Sequence, residues 1–172
     1  MNLKEEILKE HSKAQCIKIV EWVGHNQERF DELFSLFLND EYRVVQRAAW
    51  PVSYSITAQP AFINKHWVKL LNKLTKPDEH NAVKRNGMRI LQEIELPQKY
   101  HGKIMNTCFT CLESPTETLA VKVFAMTVLG KLAKQYPEIK TELKLLIEDQ
   151  LPHQTAGFKS RGKKILKQLA GL

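Results

Sequence analysis

A spacing of 38 residues runs through the chain and constrains its fold more than any other feature. Val45, Val83 and Val121 stand 38 apart, and Phe158 follows 37 later. Ala49, Gly87, Ala125 and Gly162 keep the same rhythm, as do Val52, Ile90, Val128 and Ile165, and then Ile56, Ile94, Leu132 and Leu169. Within each unit the offsets are 0, 4, 7 and 11, which trace one face of an α-helix. The second position is always Ala or Gly, small enough to let another helix backbone come close. A preceding helix shows in Leu33, Leu71, Phe109 and Ile147, also 38 apart, with Leu36, Leu74 and Leu112 one turn later.

The punctuation agrees. Asp40, Asp78 and Thr116 are 38 apart and each precedes a Glu just before the second helix. Side-chain oxygens there can cap free amides, and acids suit a helix N-terminus. Pro60, Pro97 and Pro137 stand where the first helix of a unit opens, a place that tolerates proline. The pattern predicts helix pairs at 2–10 with 12–23, 26–38 with 41–58, 61–75 with 79–95, 98–113 with 117–135, and 138–150 with 156–170. No strand pattern competes. Pro51 falls inside a second helix, where it removes a hydrogen bond, so a kink is expected near Arg47–Trp50.

This pattern resembles a HEAT or armadillo-type α-solenoid, well over residues 26–172 and weakly over 1–25. The two-helix unit of 38 is nearer HEAT than the 34-residue tetratricopeptide repeat. The resemblance implies an all-α fold, a right-handed α-α superhelix of about five antiparallel helix pairs. It is expected to be one domain over 1–172, with an N-terminal capping pair at 1–24 and repeats at 25–59, 60–96, 97–136 and 137–172.

Composition narrows the class. The chain has 172 residues, 43% of them apolar and 26% charged; a chain of roughly this length buries about two-thirds of its unfolded surface, so a disordered chain is excluded. Three cysteines cannot staple a fold this size, which points to a reduced, cytoplasmic setting. The first residues, Met1-Asn2-Leu3-Lys4-Glu5-Glu6, lack a signal-peptide core, and no run reaches the ~20 apolar residues of a membrane span. A monomer without membrane association or cofactor is expected.

The net charge of +7 is uneven. Residues 1–58 carry 7 basic and 9 acidic side chains, and residues 59–172 carry 19 and 10. In the resembled solenoids the second helices line the concave surface, so the resemblance implies a basic inner face. If positions 45, 49, 52 and 56 face the core, Arg43, Arg47 and Tyr54 point the other way. The matching positions in the next unit are Asn81, Arg85 and Gln92, with Arg89 nearby, and Lys163, Lys164 and Lys167 take similar directions in the last. Such groups suit phosphate backbones, since Lys and Arg displace counterions and a ring can stack; the alternative is a merely solvated face. The helix from Leu119 to Leu129 differs, being apolar nearly all round. Either it is covered, or Leu119, Val123 and Met126 form an apolar patch that marks a partner site.

Catalytic chemistry is mostly absent. Cys108-Phe109-Thr110-Cys111 is a CxxC with no second ligand pair for zinc, so packed thiols around a core Phe109 are the better account. The six histidines are scattered and read as surface or capping residues. There is no Walker-type glycine loop, no GxGxxG and no GxSxG. A non-enzymatic interaction module, binding a protein or nucleic acid, is the leading expectation. In size class, basicity and architecture the chain also resembles the HEAT-like alkylpurine DNA glycosylases. That family implies DNA binding and an acidic residue among aromatic and basic groups. The nearest local assembly is Asp40, Arg43, Arg47, Trp50 and Tyr54, onto which no catalytic role carries over.

Overall fold

Side chains ahead of the first three helices satisfy the amides that a helix start leaves open. In the computed structural model, which describes residues 1–172, Asn2 accepts from the Glu5 N–H ahead of α1 (Leu3–Lys9). Ser12 accepts from Gln15 at 3.0 Å ahead of α2 (Lys13–Val23), and Asn26 from Arg29 at 3.0 Å ahead of α3 (Gln27–Asn39). Helix α2 ends at Gly24, whose φ of 52° lies in the left-handed region that favours glycine. The remaining helices are α4 (Tyr42–Ala58), α5 (Trp67–Leu74), α6 (Asn81–Glu93), α7 (His101–Glu113), α8 (Leu119–Leu132), α9 (Lys140–Gln150) and α10 (Ala156–Ala170). The fold is all-α, and every predicted helix is present.

Two details differ from the periodic reading. The prolines do not open α-helices directly. Pro60 begins a 3-10 turn over Pro60–Ile63 and Pro137 one over Pro137–Ile139, while Pro97 flanks a third over Gln98–Tyr100. Consequently α5, α7 and α9 start later than expected. The predicted caps also sit too early: Glu41 and Thr118 precede α4 and α8, and neither makes a side-chain cap bond. Asp40 instead accepts from the Glu41 N–H at 2.7 Å and from Lys4 at 2.8 Å, tying α1 to the α3–α4 turn. Helix α4 runs through Pro51 without interruption.

The chain forms two compact units, Met1–Ile90 and Leu91–Leu172, with the boundary inside α6. In the first unit α4 packs against α1, α2 and α3. Its core is aromatic: Phe30, Phe34, Phe37, Phe62 and Trp67 are all buried, and Phe30 stacks on Phe62 with centroids 4.7 Å apart. Helix α6 closes onto α5 through Gly87, where an added Cβ would stand 2.7 Å from Leu74 Cδ2. In the second unit α8 packs against α7, α9 and α10. Gly162 lets α10 settle on α9, since a Cβ there would meet Ile147 Cγ2 at 3.0 Å and Leu151 Cδ2 at 3.1 Å. The small-residue positions therefore mark close approaches, as expected; Ala49 and Ala125 are buried too.

The core register slips in places. Leu36, Ile94 and Phe109 are only half-buried. Ile94 lies beyond the last residue of α6, and on α7 the core positions are Ile104, Cys108, Cys111 and Leu112, one residue away from Phe109. The thiols themselves occupy the core, and burial pushes Cys108 upward, with Cys111 adding to the effect. No helix is long and apolar enough to cross a membrane.

Candidate functional site

Charge segregates by helix position. Across the second helices α4, α6, α8 and α10 stand twelve Lys and Arg against one carboxylate, Glu93. Their partners α3, α5, α7 and α9 carry six basic and seven acidic side chains. Exposed like charges that outnumber their counter-ions present a field to solvent that can attract a polyanion.

The two units use this charge differently. On α4, Arg43 is exposed and Tyr54 is 43% exposed, but the residues between them are covered by the N-terminal helices. Arg47 is half-buried and donates from Nη1 to the Leu8 carbonyl at 2.6 Å. Trp50 lies under His11, whose ring stacks 5.5 Å away. Arg47 is thus a structural tie between α1 and α4, correcting its expected place on an open face. The local assembly of Asp40, Arg47 and Trp50 is engaged with partners from its own chain. On α6, Arg85 is exposed and Arg89 half-buried.

In the second unit three cations of α10 stay free. Lys163, Lys164 and Lys167 on α10 are all exposed, and no residue from Gln150 to Leu172 is acidic. Their helix is held to α8 by other groups: Arg161 donates to Thr127 Oγ1 at 2.8 Å, and Gln168 donates to the Gly130 carbonyl at 2.6 Å. Lys134, just beyond α8, is exposed as well. Lys131 donates to the Ile94 carbonyl, and burial lowers its pKa. Lys122 is nearly enclosed, with Nζ donating to Gln150 Oε1 at 3.0 Å; desolvation pulls its pKa below the ordinary lysine value.

Of the two alternatives for α8, a covered helix or an open apolar patch, the burial of its residues fits the first. Met126 is fully buried, and Leu119 and Val123 are half-buried. Helix α8 is apolar all round because α7, α9 and α10 surround it.

Two histidines expected as surface or capping residues are buried, His66 at the N-cap position of α5 and His101 at the start of α7. His66 donates from Nε2 to Asp31 Oδ1 at 2.7 Å and packs against the rings of Phe34 and Phe30, which leaves Nδ1 buried and unbonded. Burial lowers the His66 pKa even though Asp31 opposes it. Burial would raise Asp31, but hydrogen bonds from Lys65, Gln27 and His66 together hold it below its ordinary value. His101 sits between the Leu96 carbonyl (2.7 Å) and the Tyr136 hydroxyl (3.0 Å). A carbonyl only accepts, so Nε2 carries the proton and Nδ1 accepts from Tyr136. Asp31 and Tyr136 each lie 35 residues from the histidine they bond, which no local pattern reveals.

The comparisons with known proteins agree with this architecture. The family model described as HEAT repeat domain matches residues 3–169, spanning both units. No curated protein and no solved structure matches the chain. With ten helices in the expected pairs and a family match over nearly its whole length, the chain belongs to the HEAT repeat family.

Proposed function

We propose that this HEAT repeat domain is a non-enzymatic binding module whose second helices engage an anionic macromolecule. The observation that carries the reading is the segregation just described: twelve cations and one carboxylate on α4, α6, α8 and α10, with Lys163, Lys164 and Lys167 exposed and unpaired. A repeat domain offers extended helical surface for recognition without any need for chemistry. Paired charges would satisfy one another; unpaired lysines on one helix release condensed counterions when a phosphate backbone approaches. The exposed Arg43 and Arg85 add to the same type of surface in the first unit. The three free, buried cysteines fit a reducing, cytoplasmic compartment, and we read the protein as a monomer there.

Binding to a random-sequence DNA duplex across a salt series tests this. Affinity is expected to fall linearly on a log–log plot, and Lys163→Glu with Lys164→Glu and Lys167→Glu is expected to lower the slope by roughly 2 to 3. Salt-insensitive binding, or none at low salt, contradicts the reading.

A further inference from the structure

A groove between α9 and α10 lies apart from the lysines that carry the proposed function. It encloses about 400 Å³ and is lined by Lys140, Thr141, Lys144 and Glu148 of α9 with Leu166, Leu169 and Ala170 of α10. The two helices run antiparallel, so the start of α9 faces the end of α10 across an apolar floor. On α9 the charges are sided. Lys140 and Lys144 face the groove, whereas Glu142 and Asp149 fall on the other side of the helix by their spacing. Glu148, the one carboxylate on the lining, lies 3.9 Å from Lys144. Leu145 is 60% exposed and sits one turn after Thr141, extending the apolar surface past the lining.

We infer that this groove docks an acidic amphipathic helix from a partner protein. Lys140 to Glu148 spans about 12 Å at 1.5 Å per residue, a little over two turns. That length suits apolar anchors at i, i+3, i+4 and i+7, the pattern with which helices fill such grooves. Charge complementarity selects the occupant: Lys140 and Lys144 border the floor against the single carboxylate of Glu148, so acids flanking the anchors are attracted and lysines there are repelled. The site uses first-helix lysines, so it is separable from polyanion binding by the second helices.

Fluorescence anisotropy on the full chain tests the inference with three labelled peptides. One carries leucines at i, i+3, i+4 and i+7 with flanking glutamates; one has the same leucines with lysines; one keeps the glutamates but replaces leucine by serine. The acidic leucine peptide is expected to bind at least tenfold tighter than either other. Lys140→Glu with Lys144→Glu, the first half-buried and the second exposed, is expected to weaken it at least tenfold and to favour the lysine peptide instead. Equal binding of the serine peptide, or an unchanged affinity in the double variant, overturns the inference. So does sedimentation showing a dimer that the double variant dissolves, which would assign the groove to a second copy of the chain.

Discussion

The first unit ties Lys4, Lys9, Lys18, Lys65, Lys73 and Arg47 to groups of its own, whereas the second leaves Lys163, Lys164 and Lys167 of α10 free. In residues 1–90, Glu6 receives Lys9, Lys18 and Gln15, which hold its carboxyl down at about 2. Asp31 gathers Lys65 and His66, Asp40 binds Lys4, Lys73 meets Glu79, and Arg47 caps the Leu8 carbonyl. The aromatic core beneath is correspondingly heavy. In residues 91–172 the core around α8 is mostly aliphatic, with Phe158 its one fully buried ring, and Lys163, Lys164 and Lys167 of α10 find no carboxylate. The contrast teaches that similar helix pairs can serve two ends. Where cations are tied to carbonyls and carboxylates they fix the packing of short helices, and where they are untied they are available to a partner.

The comparison can be broken most severely through the aromatic core. Phe30→Ala removes a fully buried ring stacked on Phe62 and is expected to destabilise the protein by about 3–5 kcal/mol in chemical denaturation. A loss near 1 kcal/mol would show that the cluster does not anchor the first unit. In the second unit, Gly162→Ala places a methyl against Ile147 and Leu151 and should cost about 1–2 kcal/mol, despite alanine's better helix propensity.

Lys122→Met is expected to stabilise by about 1 kcal/mol, because an enclosed ammonium gives way to an apolar side chain of similar length. The sign with pH follows from its lowered pKa. Below that pKa the folded state bears the whole cost of the buried charge, and the cost fades as pH rises towards 10.5. The stability difference between wild type and Lys122→Met should therefore narrow in alkaline solution, as thermal melts would register.

The His66–Asp31 pair gives the first unit an acid sensitivity. His66 titrates below 6.5 when folded, so stability falls as pH drops below 6.5 and levels off below the folded pKa. Asp31 is lowered from 3.8, and its contribution is lost later, as pH falls through its folded value. His66→Phe should abolish the earlier loss and leave the later one visible in melts from pH 7 to pH 3. The smallest effect is expected at Gly102, where a Cβ would meet nothing; Gly102→Ala should gain about 0.5 kcal/mol.

Much of this was legible in the residues. Period and offset placed the helices, and Gly87 and Gly162 identified the close crossings, because a missing Cβ is a local fact with one packing consequence. The rest depended on distant partners. His66 and His101 read as surface residues until Asp31 and Tyr136 arrive from 35 positions away to satisfy them. Arg47 points away from the core as periodicity requires, yet Leu8 of α1, the stretch that fits the period least, accepts its hydrogen bond, and His11 in the turn after α1 stacks on Trp50. Phe109 and Cys108 exchanged roles by one residue on α7, a shift that the spacing alone does not resolve. Lys122 looked like a break in an apolar helix; Gln150, itself bonded to the Leu112 carbonyl, is what lets it be enclosed.

The most direct test of the account compares two charge reversals in one salt titration against duplex DNA. One variant carries Lys163→Glu, Lys164→Glu and Lys167→Glu; the other carries Arg47→Glu alone. The untied lysines should lower the log–log slope by roughly 2 to 3, whereas Arg47, engaged by Leu8, should leave the slope unchanged while reducing stability. A slope altered by Arg47→Glu and untouched by the α10 reversals would contradict the division between self-satisfied and available charge.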